Sequence, residues 1–357
     1  MNTYIKFLSF NYIKSVVYVF LIMLCLVIIL NVLNEIEFFK NYDVNSLTPI
    51  HLALLNSFDL IFEMFPFIFL ISTQVYFVNL STDNQINIFK YSGLKNSKIM
   101  MILGLLTFFM GLIIITLFYG LSSNLKNLYL EYKNSYSNDN KYLAVITNNG
   151  LWITDIVNEN RIIVNASKIE NNFLKNVNIS EFDENFNLIK IITSEIVNIK
   201  SNNWILYNAN IVENNNTNIV DELILYSNFN YKKISNLFSN LSSLSILELF
   251  ELRNNYNQIN YSTTDIDIKL QKLLSYPIYY TLMTFLSAII MFNVKKFKSL
   301  SLKIIIGLFV CVLIYYINNL FQVLGNTERI PLIFSVWITL IILFIFNSIL
   351  MISINEK

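Results

Sequence analysis

The chain has 357 residues, of which 55% are hydrophobic and only 14% charged, with a formal net charge of +1 and a mean hydropathy of +0.52. Soluble globular chains contain fewer apolar residues than this, so the composition indicates an integral membrane protein. The two cysteines, Cys25 and Cys311, both lie in apolar stretches, which excludes a disulfide framework outside the membrane.

Six apolar stretches, three on each side of a polar middle segment, are each long enough to cross a hydrocarbon core of roughly 30 Å. We predict spans at 13–33, 52–78, 99–121, 273–292, 302–324 and 331–352. This pattern divides the chain into three predicted regions. They are a first membrane part at 1–121, an inserted domain at 122–270 and a second membrane part at 271–357.

Short loops rich in lysine predict the orientation, because such loops stay in the cytoplasm. The predicted cytoplasmic lysines lie before or within the first span, between the second and third, and between the fourth and fifth: Lys6, Lys14, Lys90, Lys95, Lys98, Lys295, Lys296, Lys298 and Lys303. The loop at 34–51 carries Glu35, Glu37 and Asp43 against Lys40 alone. Both termini are therefore predicted to be cytoplasmic, and the middle domain to be outside.

A short helix is predicted between the second and third spans, at about 81–94. Ser81 or Thr82 can cap its start, Ile86 and Phe89 can pack, and Gly93 can end it. Two interpretations stay open. The helix either docks on a partner protein or lies on the membrane surface with its lysines toward lipid headgroups.

The middle domain is predicted to be rich in β-strands, because short β-branched and aromatic runs alternate there with turn residues. The runs lie at 142–147, 151–154, 161–164, 203–207 and 222–226, and 188–199 is either one long strand or a bent pair. Ser245 and Glu248 have the spacing of a capping box, which predicts a helix start. The apolar pattern at 264–274 predicts a helix continuous with the fourth span.

Catalytic patterns are missing from the sequence. His51 is the only histidine, so neither a Ser-His-Asp triad nor a multi-histidine metal site can form within the chain. No glycine is followed by lysine, which excludes a Gly-x-x-x-x-Gly-Lys phosphate loop. Asp59 and Glu63, four residues apart, are either an ion or proton site or residues of the membrane interface.

Several motifs occur in the order found in one transporter family. They are Asn84-Gln85 through Ser92-Gly93 in the loop, Phe65-Pro66, Gly150-Leu151-Trp152 and Leu274-Ser275-Tyr276-Pro277. In these motifs and their order, the chain resembles the LptF/LptG (YjgP/YjgQ) permeases of lipopolysaccharide export, and the resemblance covers nearly its whole length. The runs at 150–153, 177–183 and 203–204 are more similar to LptG than to LptF. Gln85 stands where the family has glutamate.

The resemblance implies an α-helical membrane protein of six transmembrane helices (3+3) with an inserted periplasmic β-jelly-roll domain. It implies a permease subunit of an ABC-type exporter in the bacterial inner membrane, serving outer membrane biogenesis. The subunit would take lipopolysaccharide from the outer leaflet and pass it to a periplasmic bridge. The alternatives are the LptF-like paralogue and an unrelated secondary transporter.

The implied partners are an LptB-like ATPase dimer, an LptF-like six-span permease, an LptC-like protein, lipopolysaccharide and the membrane, with no nucleic acid. The chain itself would be no enzyme and hold no cofactor, since ATP and magnesium would bind the ATPase.

The resemblance also assigns site residues. The loop would be the coupling helix that contacts the ATPase through Asp83, Asn84, Gln85, Ile86, Phe89, Lys90 and Gly93. Lys40 is the candidate for the anionic lipid head, and its other interpretation is a lysine that snorkels at the interface. A strand edge at 142–147 or 222–226 would accept the next module of the bridge.

Overall fold

The computed structural model describes residues 3–40, 42, 44–82, 85–136, 151–157, 160–170, 172–184, 186–213, 216–231, 234, 240–258, 262–292 and 300–355. The chain forms two compact units. We call residues 1–129 and 264–357 the membrane unit, and residues 130–263 the sheet unit.

The described helices, in chain order, are α1 Thr3–Phe39, α2 Thr48–Glu63, α3 Phe65–Thr82, α4 Gln85–Tyr91, α5 Asn96–Ile113, α6 Tyr119–Tyr136, α7 Ile246–Gln258, α8 Thr264–Phe292, α9 Leu300–Asn326 and α10 Leu332–Asn355. A π-helical turn, Ile114–Phe118, joins α5 to α6 without a break. Six helical segments of the described chain are long and apolar enough to cross a membrane, which confirms the predicted number of spans. The predicted helix before the fourth span is also confirmed, because α8 begins at Thr264.

The second span differs from its prediction, because the stretch at 52–78 is divided between α2 and α3 at Met64. Pro66 lies in the first turn of α3. Proline has no amide hydrogen to donate and its ring clashes with the carbonyl four residues earlier, so a single continuous helix is disfavoured there. The membrane-crossing segment is therefore Phe65–Thr82, and Asp59 and Glu63 belong to the preceding helix.

Helix α8 lies at the centre of the membrane unit and packs against α3, α5, α9 and α10. The apolar core around it consists of Leu70, Tyr279, Leu282, Met283, Leu286, Cys311, Ile314, Leu340 and Leu343. Small residues let the backbones approach closely, as is usual in membrane bundles. At Gly111 of α5, an added Cβ would lie 2.9 Å from the Cα of Pro277 in α8.

A cluster of hydroxyl groups joins four helices inside the membrane unit. The Tyr12 hydroxyl lies 3.2 Å from Thr73 Oγ1, 3.0 Å from Thr107 Oγ1 and 3.2 Å from Thr284 Oγ1. All four residues are fully buried. Polar groups in an apolar interior must be paired, so this cluster fixes α1, α3, α5 and α8 relative to one another.

The end of α8 is closed by a lysine of the following span. Lys303 is buried, and its ammonium group donates a hydrogen bond of 3.0 Å to the carbonyl of Met291. A cation at a helix C-terminus satisfies carbonyls that have no partner within the helix. Lys303, which the sequence grouped with the loop lysines, therefore lies within α9 and binds the C-terminal end of α8.

The sheet unit contains six described strands: β1 Leu151–Val157, β2 Asn160–Glu170, β3 Phe173–Phe182, β4 Leu188–Asn198, β5 Asn203–Glu213 and β6 Asn216–Tyr226. They form one antiparallel sheet in the order β1-β2-β3-β4-β5-β6. Each strand pairs with its neighbour in sequence, and the β5–β6 pairing extends to Glu213 and Asn216. The inserted sheet domain is confirmed. Over the described strands its connectivity is a meander, without the crossed connections of a jelly-roll.

One face of the sheet is buried. Its apolar residues include Ile153, Val164, Ile179, Ile192 and Trp204, while Leu249 and Leu252 of α7 are buried as well. The indole of Trp204 donates a 2.7 Å hydrogen bond to the carbonyl of Phe229. This bond satisfies the polar atom of the largest buried side chain and fixes the segment after β6.

Three further local predictions can be compared with the structure. Ser245 and Glu248 form the capping box, since the Ser245 amide donates to Glu248 Oε2 at 3.0 Å. The stretch at 188–199 is one strand, β4, while the run at 142–147 lies outside the described residues. Ser81 and Thr82 do not cap α4: their hydroxyls donate back to the carbonyls of Phe77 and Asn79 in α3.

Candidate functional site

The loop between the second and third spans forms a helix, α4, with a defined end. Gly93 has φ of +75°, and the Leu94 amide donates to the Phe89 carbonyl at 3.0 Å. A left-handed glycine followed by this six-residue closure is the Schellman motif, which satisfies carbonyls at a helix C-terminus. The chain then turns directly into α5, so α4 is held at both ends by spanning helices.

The described side chains of α4 divide between two faces. The ring of Phe89 lies 6.2 Å from that of Phe7 in α1, and Gln85 is half-buried. Ile88 and Tyr91 point away from the bundle, with exposed fractions of 60% and 91%. Phe89 therefore anchors α4 to the membrane unit, while Ile88 and Tyr91 form an exposed apolar pair, which we call the Ile88–Tyr91 pair.

The structure describes only some of the predicted coupling residues completely. Gln85, Phe89 and Gly93 lie in α4 or at its end. Ile86 and Lys90 are helical in backbone, but their side chains lie outside the described part, as do Asp83 and Asn84 entirely. Sequence reasoning missed the Ile88–Tyr91 pair. Their spacing of three residues, which puts both on one helical face, was the signal that could have found them.

At the other end of the spans, polar side chains of α1, α2 and α6 meet in a buried cluster. Lys126 Nζ lies 3.2 Å from Asp59 Oδ2 and donates to Asn56 Oδ1 at 2.6 Å. Nearby, the Tyr129 hydroxyl donates to Glu35 Oε1 at 2.8 Å. The charge of Asp59 is thus compensated within the chain, which gives the residue a structural role.

The pair of carboxylates singled out in the sequence does not form one site. Asp59 is buried and bound to Lys126, whereas Glu63 is exposed at the last position of α2. Among the described residues, no group of three or more His, Cys, Asp or Glu side chains is arranged to hold a metal ion. The geometry gives no cation-binding cluster at these two residues.

Lys40 is placed differently from Lys126. It follows the last residue of α1, is exposed, and makes no side-chain ion pair with any residue that the structure describes. The two acidic residues closest to it in α1 are Glu35, which is buried, and Glu37, which is exposed. Among the described residues, the positive charge of Lys40 at this end of the first span therefore has no ion-pair partner.

The sequence matches a family of known proteins. No curated protein sequence matches the chain. The family model described as lipopolysaccharide export system permease LptF/LptG matches residues 6–353, nearly the whole length. The six spanning helices and the inserted antiparallel sheet agree with that match, and the chain is a multi-pass membrane protein and a transport subunit, not an enzyme. The chain belongs to the LptF/LptG family of lipopolysaccharide export permeases.

Proposed function

We propose that the chain is the LptG-like permease subunit of an ATP-driven exporter. In this role it takes lipopolysaccharide from the outer leaflet of the bacterial inner membrane and passes it to a periplasmic bridge. The observation that carries the proposal is α4, a short capped helix between two spans that presents the Ile88–Tyr91 pair to solvent.

The orientation follows from the lysines beside α4. Lys95 and Lys98 are exposed at the start of α5, which favours the cytoplasmic side for this loop. With an even number of crossings both termini are then cytoplasmic, and the sheet unit, inserted after the third span, is periplasmic.

An ATPase dimer supplies the energy in this proposal and binds the ATP and magnesium itself. Its surface receives the Ile88–Tyr91 pair in an apolar groove, where burial of two large side chains contributes several kcal/mol, at about 1.5–3 kcal/mol each. The family's glutamate is replaced by Gln85, so apolar contact carries more of this interface than ion pairing does.

The lipid site combines a charge with an apolar wall. Lys40 contacts an anionic group of the lipopolysaccharide head, because it is exposed and unpaired among the described residues. The first and fifth spans are the least buried of the six, and their exposed apolar faces suit acyl chains and a second, LptF-like permease chain.

The sheet unit passes the lipid on. Strand β6 pairs only with β5 among the described strands and exposes Ile219 and Ile224. An edge strand of this kind can add a strand from an LptC-like partner, as was predicted for 222–226.

The test is co-purification of the full chain from its host in mild detergent. We expect an ATPase and a second six-span permease to be recovered with the wild type. Ile88→Glu should lose the ATPase, because a charge enters an apolar contact. Leu47→Glu, the same type of change at a residue 66% exposed between α1 and α2, is the matched control and should retain it.

Recovery of the chain alone, with transport of a small solute after reconstitution, would refute the exporter proposal. Recovery of an LptG-like chain as the second permease would instead assign this chain as the LptF-like paralogue.

A further inference from the structure

A polar pocket of about 670 Å³ lies between α1, α3 and the first residue of α4. Its wall includes Asn11 and Lys14 from α1, Tyr76 and Asn79 from α3, and Gln85 from α4. It is separate from Lys40 and from the Ile88–Tyr91 pair, which are not among its lining residues.

The described lining of the pocket carries a positive charge. Lys14 is exposed and makes no ion pair with any described residue, and the described lining residues include no acidic side chain. The amides of Asn11 and Asn79 add hydrogen-bond donors beside this ammonium group. An occupant with negatively charged oxygens would match the donors and the charge together.

Tyr76 provides an independent observation. Its side chain is buried and its ring is held edge-on to Tyr12, with 5.5 Å between ring centroids. Nevertheless, its hydroxyl has no hydrogen-bond partner in the described part of the chain. A buried hydroxyl is costly to leave unpaired, so an occupant of the pocket that brings an oxygen acceptor would remove this cost.

The position of the pocket indicates the kind of anion. Lys14 is the second residue of the predicted first span and Asn79 directly follows the predicted second span. The polar lining therefore lies at a membrane boundary, at the level of lipid headgroups. Tyr18, one turn further along α1, and Val75 give the pocket an apolar wall that continues toward the hydrocarbon. A lipid fits both the polar lining and the apolar wall, whereas a free anion fits only the polar lining.

We propose that this pocket binds the phosphate headgroup of an anionic phospholipid from the leaflet on the α4 side. The ammonium group of Lys14 and the amide of Asn79 bind the phosphate oxygens, and the Tyr76 hydroxyl donates to one of them. Because Gln85 begins α4 on the same wall, the bound lipid holds the start of α4 in place. This consequence for coupling rests on the proposed function of α4, whereas lipid binding does not.

The experiment measures lipid retention by the full chain. The protein is reconstituted into vesicles of phosphatidylethanolamine mixed with phosphatidylglycerol, extracted in mild detergent, and its bound lipids are counted by native mass spectrometry. Lys14→Gln should lower phosphatidylglycerol retention about tenfold, the effect of losing one charged hydrogen bond. Tyr76→Phe, which deletes only the hydroxyl, should lower it severalfold without loss of thermal stability.

The matched control is Lys6→Gln, the same charge change at an exposed lysine of α1 outside the pocket, which should leave retention unchanged. Equal losses in both lysine variants would show general attraction to the membrane and overturn the proposal. Equal retention of the zwitterionic lipid, or displacement by added inorganic phosphate, would also overturn it. So would a partner chain cross-linked to position 14 in a lipid-free complex. Because ATPase binding is not measured, this result is independent of the exporter assignment.

Discussion

Lys126 of α6 and Asp59 of α2 form an ion pair with 3.2 Å between Nζ and Oδ2, and both side chains are nearly buried. The Asn56 amide oxygen accepts a second hydrogen bond from Lys126, at 2.6 Å. The pair therefore connects two helices that are far apart in sequence.

Breaking this ion pair should destabilise the protein without stopping transport. Asp59→Asn or Lys126→Met each leaves one buried charge without its partner, at a cost of about 3–5 kcal/mol. The double variant should recover part of that loss, because no isolated charge remains. Thermal unfolding in detergent measures the stability and lipopolysaccharide export in cells the activity. Loss of export by a double variant that is stably folded would show a direct role for Asp59.

Substitution of Gly111 should disturb the packing of α5 on α8. In Gly111→Ala the new Cβ would lie 2.9 Å from the backbone of Pro277, which cannot move aside as a side chain can. We expect a loss of about 1–3 kcal/mol from overpacking. Gly120→Ala in α6 is the control, since nothing lies within 4 Å of the added Cβ and alanine favours the helix. Equal melting temperatures for the two variants would contradict the close contact.

Removal of the Tyr12 hydroxyl should weaken the four-helix cluster moderately. Tyr12→Phe keeps the ring and deletes the group that reaches Thr73, Thr107 and Thr284. The expected loss is about 1 kcal/mol, because Thr107 and Thr284 remain 3.2 Å apart and continue to pair with each other. Co-purification with the ATPase should not change. A melting temperature above that of the wild type would show that the hydroxyl cluster is not stabilising.

Asp155 should hold the segment that follows β6. Its buried carboxylate accepts hydrogen bonds from Ser227 Oγ at 2.7 Å and from the Asn228 amide nitrogen at 2.9 Å. Asp155→Ala leaves these donors unpaired, which costs about 1–3 kcal/mol for each one that stays buried. Limited proteolysis of the full chain should then cut near 227–229 faster than in the wild type. Ser180→Ala on β3 serves as the control, and cleavage equal to that of Asp155→Ala would exclude a specific role.

Loss of the charge at Lys40 should weaken lipid binding. Lys40→Gln removes the exposed ammonium group at the end of α1, and we expect about tenfold less lipopolysaccharide to co-purify, as for one charged hydrogen bond. Lys95→Gln makes the same change at an exposed lysine beside α4 and should have no effect on that lipid. If the two variants retain equal amounts, Lys40 is a snorkelling interfacial residue.

The spanning helices were predictable because membrane thickness imposes a minimum apolar length, and all six stretches meet it. Local signals also identified Gly93 and the Ser245–Glu248 capping box, whose geometry depends on neighbouring residues. The break at Met64 was missed, since an apolar stretch looks continuous although Pro66 interrupts its hydrogen bonds.

Contacts between residues far apart in the chain could not be predicted from the sequence pattern. Lys126 was not singled out, and nothing in its neighbourhood indicates that Asp59, 67 positions earlier, is its partner. Phe89 was assigned to the ATPase contact, which stays untested, but it packs near Phe7 of α1. Which face of a short helix is occupied depends on the helices around it, and periodicity alone does not contain that information.

The π-helical turn Ile114–Phe118 determines the directions in which the side chains of the following helix, α6, point. One extra residue within a helix rotates the next residues by about 100° around its axis. Lys126 and Tyr129 face α1 and α2 in consequence of this angular offset. A one-residue deletion in the turn would leave composition and hydropathy nearly unchanged, yet it would turn both side chains about 100° away from their partners in α1 and α2.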